Sequence, residues 1–231
     1  MEELLAFLKG PLLTFVVAIL VLGLIRHAVL SVWALVDGAR RASDPNIPYA
    51  RVLRNMGVWA FPVTRLHRSL PVFSYASFLF HVGVILSAVF LREHIDLFGR
   101  LSWPYLPRPY VDWLALLAFA GLATLLGHRI YVRQSRDVSG FEDYAILILL
   151  TVTVGMGYLA GQSWNVIPYN LTMVIHVSGG SAILALTPFT KLAHCVLYPL
   201  VRLSSEISWH FTREGGHEVV RTLYGPEGRR I

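Results

Sequence analysis

The stretch that decides the fold is TMVIHVSGGSAILALTPFTKLAHCVLYP, from Thr172 to Pro199, an apolar run that carries His176 and His194. Its length suits a helix that crosses a membrane. Eighteen residues separate the two histidines, about five helical turns, so the spacing predicts both imidazoles on one helix face roughly 27 Å apart. Because this distance nearly matches the ~30 Å hydrocarbon core, one histidine is expected near each membrane surface. Two imidazoles on one face at two depths suit two stacked metal centres.

Composition indicates a multi-pass membrane protein. The 231 residues are 55% hydrophobic and only 15% charged, too few charges to cover the surface of a soluble domain. The first apolar run lacks a basic segment and a small-residue cleavage site, so it is expected to be retained. The single cysteine, Cys195, excludes an internal disulfide and a cysteine-held metal cluster within this chain, so any such cluster belongs to a partner.

Apolar runs predict an all-α bundle of five membrane-spanning helices. The predicted spans are residues 12–35, 71–91, 111–132, 144–162 and 172–199. Arg26 and His27 lie inside the first span, where the helix is expected to leave the hydrocarbon and continue along the interface. Residues 37–70 are predicted to be a polar connector broken by prolines. The loop LSWPYLPRPY, residues 101–110, is typical of an interfacial aromatic belt.

Basic residues predict the orientation. With the N-terminus outside, 4 of the 20 lysines and arginines face outward and the rest face the cytoplasm, in accord with the positive-inside rule; the outer four are Lys9, Arg92, Arg100 and Arg108. The chain is therefore predicted to consist of a transmembrane domain, residues 1–201, and a cytoplasmic tail, residues 202–231, in a prokaryotic cytoplasmic membrane. The formal charge of +6 is a topology signal and not a nucleic-acid footprint, because the basic residues flank apolar spans.

Histidines within the spans are the candidate functional residues, since ionisable side chains in a membrane are costly and mark function by default. His81 lies in SFLFHVGVIL, where Gly83 is expected to let a flat macrocycle approach the backbone. His176 likewise has Gly179 and Gly180 one turn later, which are expected to leave room for a macrocycle in the same way. Five other histidines are predicted to be interfacial or solvated: His27, His67, His128, His210 and His217.

The ligand type favours haem iron. Histidines without nearby acidic or cysteine ligands suit haem held by two axial imidazoles, whereas zinc requires three or four clustered ligands. The expected depths of the histidines in the membrane pair His81 with His194 near the inner surface and His94 with His176 near the outer one. His94 lies about 220° round a regular helix from His81, so its pairing requires a distortion near the helix end or an approach from the loop. An alternative register pairs His67 with His194 and His81 with His176, although a proline interrupts the helix between the first members.

These residues resemble a known family. The segments SFLFHVG (Ser77–Gly83) and TPFTKLAH (Thr187–His194), with the histidines 176 and 194, are similar to the gamma subunits of membrane-bound respiratory nitrate reductases, which are five-span dihaem cytochromes b. The chain is more similar still to quinone-linked cytochromes that accompany heterodisulfide-reductase-like iron–sulfur proteins, including membrane cytochromes of sulfate reducers. The opening of the fourth span, FEDYAILILL, is a weaker likeness, and the resemblance covers residues 11–199.

The resemblance implies roles for particular residues. His81 and His194 would hold the inner haem and His176 the outer one. The nitrate reductase branch has its fourth ligand ten residues after the first, which here is Leu91 and cannot ligate; the related cytochromes carry an F-L-x-E-H arrangement, which supports His94. The basic quinol-binding residue of the family has no clear counterpart. The nearest candidates for the quinol site are Arg108, Asp112 and Trp103.

The expected function is that of a membrane cytochrome b, an electron-transfer subunit of a quinol-linked oxidoreductase complex. It would exchange electrons between quinol, menaquinol in particular, and a cytoplasmic iron–sulfur partner through two b haems. Two alternatives stay open. One is a single-haem anchor in which only His81 and His194 ligate, and the other is a haem-free anchor or transporter subunit in which the histidines pair with buried polar groups.

Overall fold

The computed structural model describes residues 1–41, 49–60, 68–99, 102–208 and 215–224, and these ranges are helical and contain no strand. Five described segments are long and apolar enough to cross a membrane: Glu2–Arg41, Pro71–Phe90, Arg108–Tyr131, Phe141–Ala160 and Tyr169–Phe189. The predictions of an all-α fold and of five candidate spans are therefore confirmed. The orientation of the termini stays a prediction.

The first segment is longer than the predicted span. It begins with α1, Glu2–Phe7, continues through a π-helical turn at Leu8–Leu12 and becomes α2, Leu13–Arg41. Pro11 lies within the π-helical turn. The 29 residues of α2 measure about 44 Å, more than the ~30 Å of a hydrocarbon core. The helix is therefore longer than the core is thick, and its predicted exit from the hydrocarbon after Arg26 stays a prediction.

The chain divides into two compact units. The first contains Met1–Leu20 and Phe61–Thr190, and the second contains Val21–Ala60 and Lys191–Ile231. Four long helices belong to the first unit and are numbered here with the short helices between them: α4 (Pro71–Phe90), α5 (Arg92–Asp96), α6 (Arg108–Tyr131), α7 (Arg133–Asp137), α8 (Phe141–Ala160) and α9 (Tyr169–Leu186). In that unit α4 packs on α6, α6 on α8 and α8 on α9.

Glycines bring α4 and α6 into close approach. A Cβ atom on Gly83 would collide with the Leu114 carbonyl oxygen and lie 2.8 Å from the Ala118 Cβ. A Cβ atom on Gly121, from the opposite helix, would lie 2.7 Å from the Ala76 carbonyl oxygen. The prediction that Gly83 leaves room for a macrocycle is therefore wrong, because this glycine faces the neighbouring helix. Such small-residue contacts are typical of helix pairs in membranes.

The fifth span is broken where the sequence predicted a continuous helix. After α9 ends at Leu186, a 3₁₀ turn covers Thr187–Phe189 and Thr190 is extended. Pro188 has no N–H to donate, and its ring obstructs a regular helix. A second 3₁₀ turn, Lys191–Ala193, leads into α10, His194–Ser208. The prediction that His176 and His194 share one face of one helix is therefore wrong.

The second unit contains the part of α2 that follows Leu20, α3 (Tyr49–Ala60) within the predicted connector, and the described helices α10 and α11, Gly215–Tyr224. α3 packs on α10, and each contributes a buried apolar side chain, Val52 and Ile207. The sequence did not predict this helix within the connector. The domain boundary predicted after residue 201 falls inside α10.

Candidate metal centre

A break at the end of α4 sets the position of His94. The helix ends at Phe90, Leu91 takes an extended conformation with φ −75° and ψ 126°, and α5 begins at Arg92. The loop that leads from α5 to α6 returns to the end of α4, because the Leu106 N–H donates to the Phe90 carbonyl at 3.0 Å. His94 therefore does not follow the periodicity of α4. This is the kind of distortion that the pairing of His94 with His176 required.

The imidazoles of His94 and His176 are neighbours with nearly parallel ring planes. Their ring centres are 5.9 Å apart and their planes differ by 12°. The Nδ1–H of His176, in α9, donates to the Thr153 carbonyl of α8 at 2.8 Å. The Nδ1–H of His94 donates to the Ala88 carbonyl at the end of α4, at 3.2 Å. Both rings are thus oriented by backbone acceptors, and this tautomer leaves the lone pair on Nε2.

The separation of these rings fits two ligands of one metal ion. Imidazoles bound on opposite sides of an ion would have ring centres about 6 Å apart, because each metal–nitrogen bond is about 2 Å and each centre lies about 1 Å behind its nitrogen. Metal-bound histidines commonly donate the other ring N–H to a carbonyl or carboxylate. Burial first, and then the neighbouring His176, lower the pKa of the His94 imidazole. This lowering of the pKa favours the neutral form of His94, which is the form that binds metal.

His81 and His194 have the same type of backbone contact. The His81 Nδ1–H donates to the Ser77 carbonyl at 2.7 Å, and the His194 Nδ1–H donates to the Lys191 carbonyl at 2.8 Å. Each contact favours the tautomer with Nε2 as the acceptor. His81 belongs to the first unit and His194 to the second, so their pairing stays a prediction.

An ion-paired cluster lies beside His94. The Arg108 Nε donates to the Asp112 carboxylate and its Nη1 to the Glu93 carboxylate, each at 2.8 Å. Glu93 precedes His94 in α5, whereas Arg108 and Asp112 open α6. Of the predicted quinol residues, Arg108 and Asp112 are thus in direct contact, and Trp103 stacks on Phe90 with ring centres 6.5 Å apart.

Three residues near His176 and His94 were missed by the sequence reasoning. Thr153 supplies the carbonyl for His176, Lys9 belongs to the π-helical turn that packs on α9, and Glu93 joins the arginine cluster. A backbone acceptor leaves no mark in a sequence. Glu93 lies within the quoted F-L-x-E-H arrangement and could have been singled out. Lys9 could also have been singled out, as one of the four basic residues that the sequence placed on the outer side.

The other histidines are placed differently. His128 lies in α6 with its ring centre 6.0 Å from that of Phe73, and His217 is exposed in α11. His67 and His210 lie outside the described residues, so the alternative register through His67 stays a prediction. Among the described residues, no group of three or more His, Cys, Asp or Glu side chains converges as a metal site. The described residues bring one pair of imidazoles together, His94 and His176, whereas a zinc site needs three or four clustered ligands.

The described helices define a multi-pass helical membrane protein whose first unit brings two histidines together. The chain is 30% identical over 221 residues to a protein of Nitratidesulfovibrio vulgaris strain Hildenborough, and the match covers 91% of this chain and 95% of that protein. This chain therefore belongs to the same family as that protein, whose description, "Protein", states no activity. No family model and no solved structure matches the chain.

Proposed function

We propose that this protein is a dihaem membrane cytochrome b, similar to the nitrate reductase gamma subunits and to the related quinone-linked cytochromes. It would be an electron-transfer subunit of a quinol-linked oxidoreductase complex in a prokaryotic cytoplasmic membrane, with its N-terminus outside. The observation that carries the proposal is the pair His94–His176, with ring centres 5.9 Å apart and with both Nδ1 atoms bound to backbone carbonyls. Helix packing alone would not require two neighbouring imidazoles whose Nδ1 atoms both contact backbone carbonyls.

The proposed haem ligands are four histidines. His94 and His176 would hold the outer haem, and His81 and His194 the inner one. When bound, haem iron supplies reversible one-electron transfer, and the protein supplies position and electrostatics. The carbonyl contacts of all four rings support this assignment, because they fix the ring orientation and raise the basicity of the metal-binding nitrogen.

The cluster beside His94 would bind the quinol headgroup. Oxidation of a quinol releases two protons, so its site needs acceptors near the electron acceptor. The Glu93 and Asp112 carboxylates can accept these protons, and Arg108 holds both of them in place. The exposed Trp103 ring would form an apolar wall for the quinol ring, and menaquinol is the proposed substrate. Electrons would leave to an iron–sulfur subunit at the cytoplasmic side.

Haem stoichiometry tests the proposal. The purified wild-type protein should contain two haems b per chain in a pyridine haemochrome assay. His94→Ala should leave one haem and remove the outer signal, and His194→Ala should remove the inner one. His217→Ala, at an exposed tail position, is the matched control and should retain two. One haem in the wild type would select the single-haem alternative, a colourless protein would refute the cytochrome, and full retention in His94→Ala would favour His67.

A further inference from the structure

The helix α8 leaves open the space in which the ring of His176 lies. A Cβ atom on Gly157 would lie 2.5 Å from Cε1 and 2.7 Å from Nδ1 of that ring. Real Cβ atoms do not approach other atoms this closely, so the imidazole occupies the space that a side chain at position 157 would fill. The Thr153 carbonyl, which accepts the Nδ1–H at 2.8 Å, lies one turn earlier on the same face of α8. One helix therefore provides both the acceptor and the space.

The contact is reciprocal. A Cβ atom on Gly179 of α9 would collide with the Thr153 hydroxyl, and Gly179 lies three residues after His176 on the same helix. The ring of His176 thus occupies the space beside Gly157 of α8, and the side chain of Thr153 occupies the space beside Gly179 of α9. The prediction that Gly179 leaves room for a macrocycle is wrong for this reason. The interlocked contact fixes both the depth and the rotation of the imidazole relative to α8.

We propose that Gly157 is a positioning residue for the outer metal centre. It lets the His176 ring lie against α8 with its Nδ1–H on the Thr153 carbonyl, and it thereby sets the direction of Nε2 toward the metal. The inference rests on the proposed function and deepens it, since it assigns a role at the outer site to a span that contributes no ligand.

The size of the perturbation follows from the geometry. The Cβ of Gly157→Ala overlaps atoms of a planar ring that is already held by a hydrogen bond, so the ring must rotate or move away. Either change lengthens the hydrogen bond from the His176 Nδ1–H to the Thr153 carbonyl. Loss of such an outer contact lowers metal affinity by about 10- to 100-fold. We expect transfer of the outer haem to excess apomyoglobin to accelerate by a comparable factor, while the inner haem is retained as in the wild type.

A double-mutant cycle tests the contact without haem. Thermal unfolding would be measured for Gly157→Ala in the wild-type and His176→Ala backgrounds. The substitution should lower the midpoint in the wild type and should have little effect once the ring is absent. An equal effect in both backgrounds would overturn the inference, because the alanine would then be colliding with something other than His176. The cycle remains informative if Gly157→Ala is too unstable to bind haem, since adding His176→Ala should restore the unfolding midpoint of the Gly157→Ala variant.

The control is Gly180→Ala. Gly180 lies in α9, one turn after His176, and a Cβ there meets no atom within 4 Å. This variant should transfer haem and unfold like the wild type. Coupling in the cycle together with unchanged haem transfer and an unchanged low-spin electron paramagnetic resonance signal would refute the positioning role. Absence of haem from the wild type is a different result, visible before any variant is made, and it would refute the proposed function itself.

Discussion

Replacing Gly83 with alanine should destabilise the contact between α4 and α6. The new Cβ would collide with the Leu114 carbonyl oxygen and lie 2.8 Å from the Ala118 Cβ and 2.9 Å from its backbone nitrogen. None of these atoms can be moved by rotating a side chain. The helices must separate by about an ångström to restore ordinary contact distances of about 3.5–4.0 Å. Overpacking of this kind costs about 1–3 kcal/mol, and each 1.4 kcal/mol changes the unfolding equilibrium about tenfold.

The assay is unfolding of the purified protein in detergent, followed by circular dichroism on heating. Gly127→Ala is the matched control in α6, because a Cβ at that position meets nothing within 4 Å. Alanine is the better helix former by about 1 kcal/mol, so the control should unfold at the wild-type temperature or slightly above it. Gly121→Ala should behave like Gly83→Ala, since its Cβ would lie 2.7 Å from the Ala76 carbonyl oxygen.

Two results would refute this reasoning. If Gly83→Ala unfolds like Gly127→Ala, the helices do not approach each other closely at this point. If it leaves the haem-free protein unchanged and lowers only the haem content, the glycine serves the cofactor, as the sequence first suggested. The test therefore decides between helix packing and cofactor space at a single position.

Two further substitutions probe the rest of the fold. Asp143→Asn should lower the free energy of unfolding by about 1–3 kcal/mol, between the values for exposed and buried ion pairs, because Asp143 lies 3.6 Å from Arg129 with its side chain only 9% exposed. Asparagine keeps an oxygen that can accept the Gly140 N–H. An unchanged unfolding midpoint would therefore show that the ion pair contributes nothing. Ile207→Ala should cost about 2–5 kcal/mol within the second unit, since Ile207 is 3% exposed, and should raise hydrogen–deuterium exchange in α3 and α10 while α8 serves as the reference; equal exchange in wild type and variant would contradict the packing of those two helices.

The sequence predicted those features that depend on local composition. Pro71 begins α4 as expected for a first-turn proline, and the second, third and fourth spans lie within three residues of their predicted bounds. The long apolar runs leave little choice, because a helix satisfies its own backbone hydrogen bonds in lipid. Where the pattern was polar and amphipathic, as in α3, the same reasoning missed a helix that packing stabilises.

The sequence predicted the residue types of the candidate site and paired His94 with His176, and these two rings lie 5.9 Å apart. The spacing argument was wrong for the other pair, because it placed His176 and His194 on one helix, where Pro188 and the extended Thr190 interrupt the chain. For His94 it required a distortion near the helix end, and the extended Leu91 provides one. Periodicity assumes a continuous helix, and both positions lie beyond a point where the chain leaves one.

The two breaks have a common physical consequence. A histidine on a regular helix has its direction fixed by the helix axis, so two ligands from different helices meet only if the helices cross at a suitable angle. His94 escapes this constraint because it lies in a five-residue helix after a break, and its direction is set by the Ala88 carbonyl and the returning loop. His176 remains on a regular helix but is fixed by the Thr153 carbonyl of its neighbour. One adjustable histidine and one rigid histidine would let the proposed ligand pair form without any special crossing angle. Changes in the loop between α5 and α6 should therefore move His94 while leaving His176 in place.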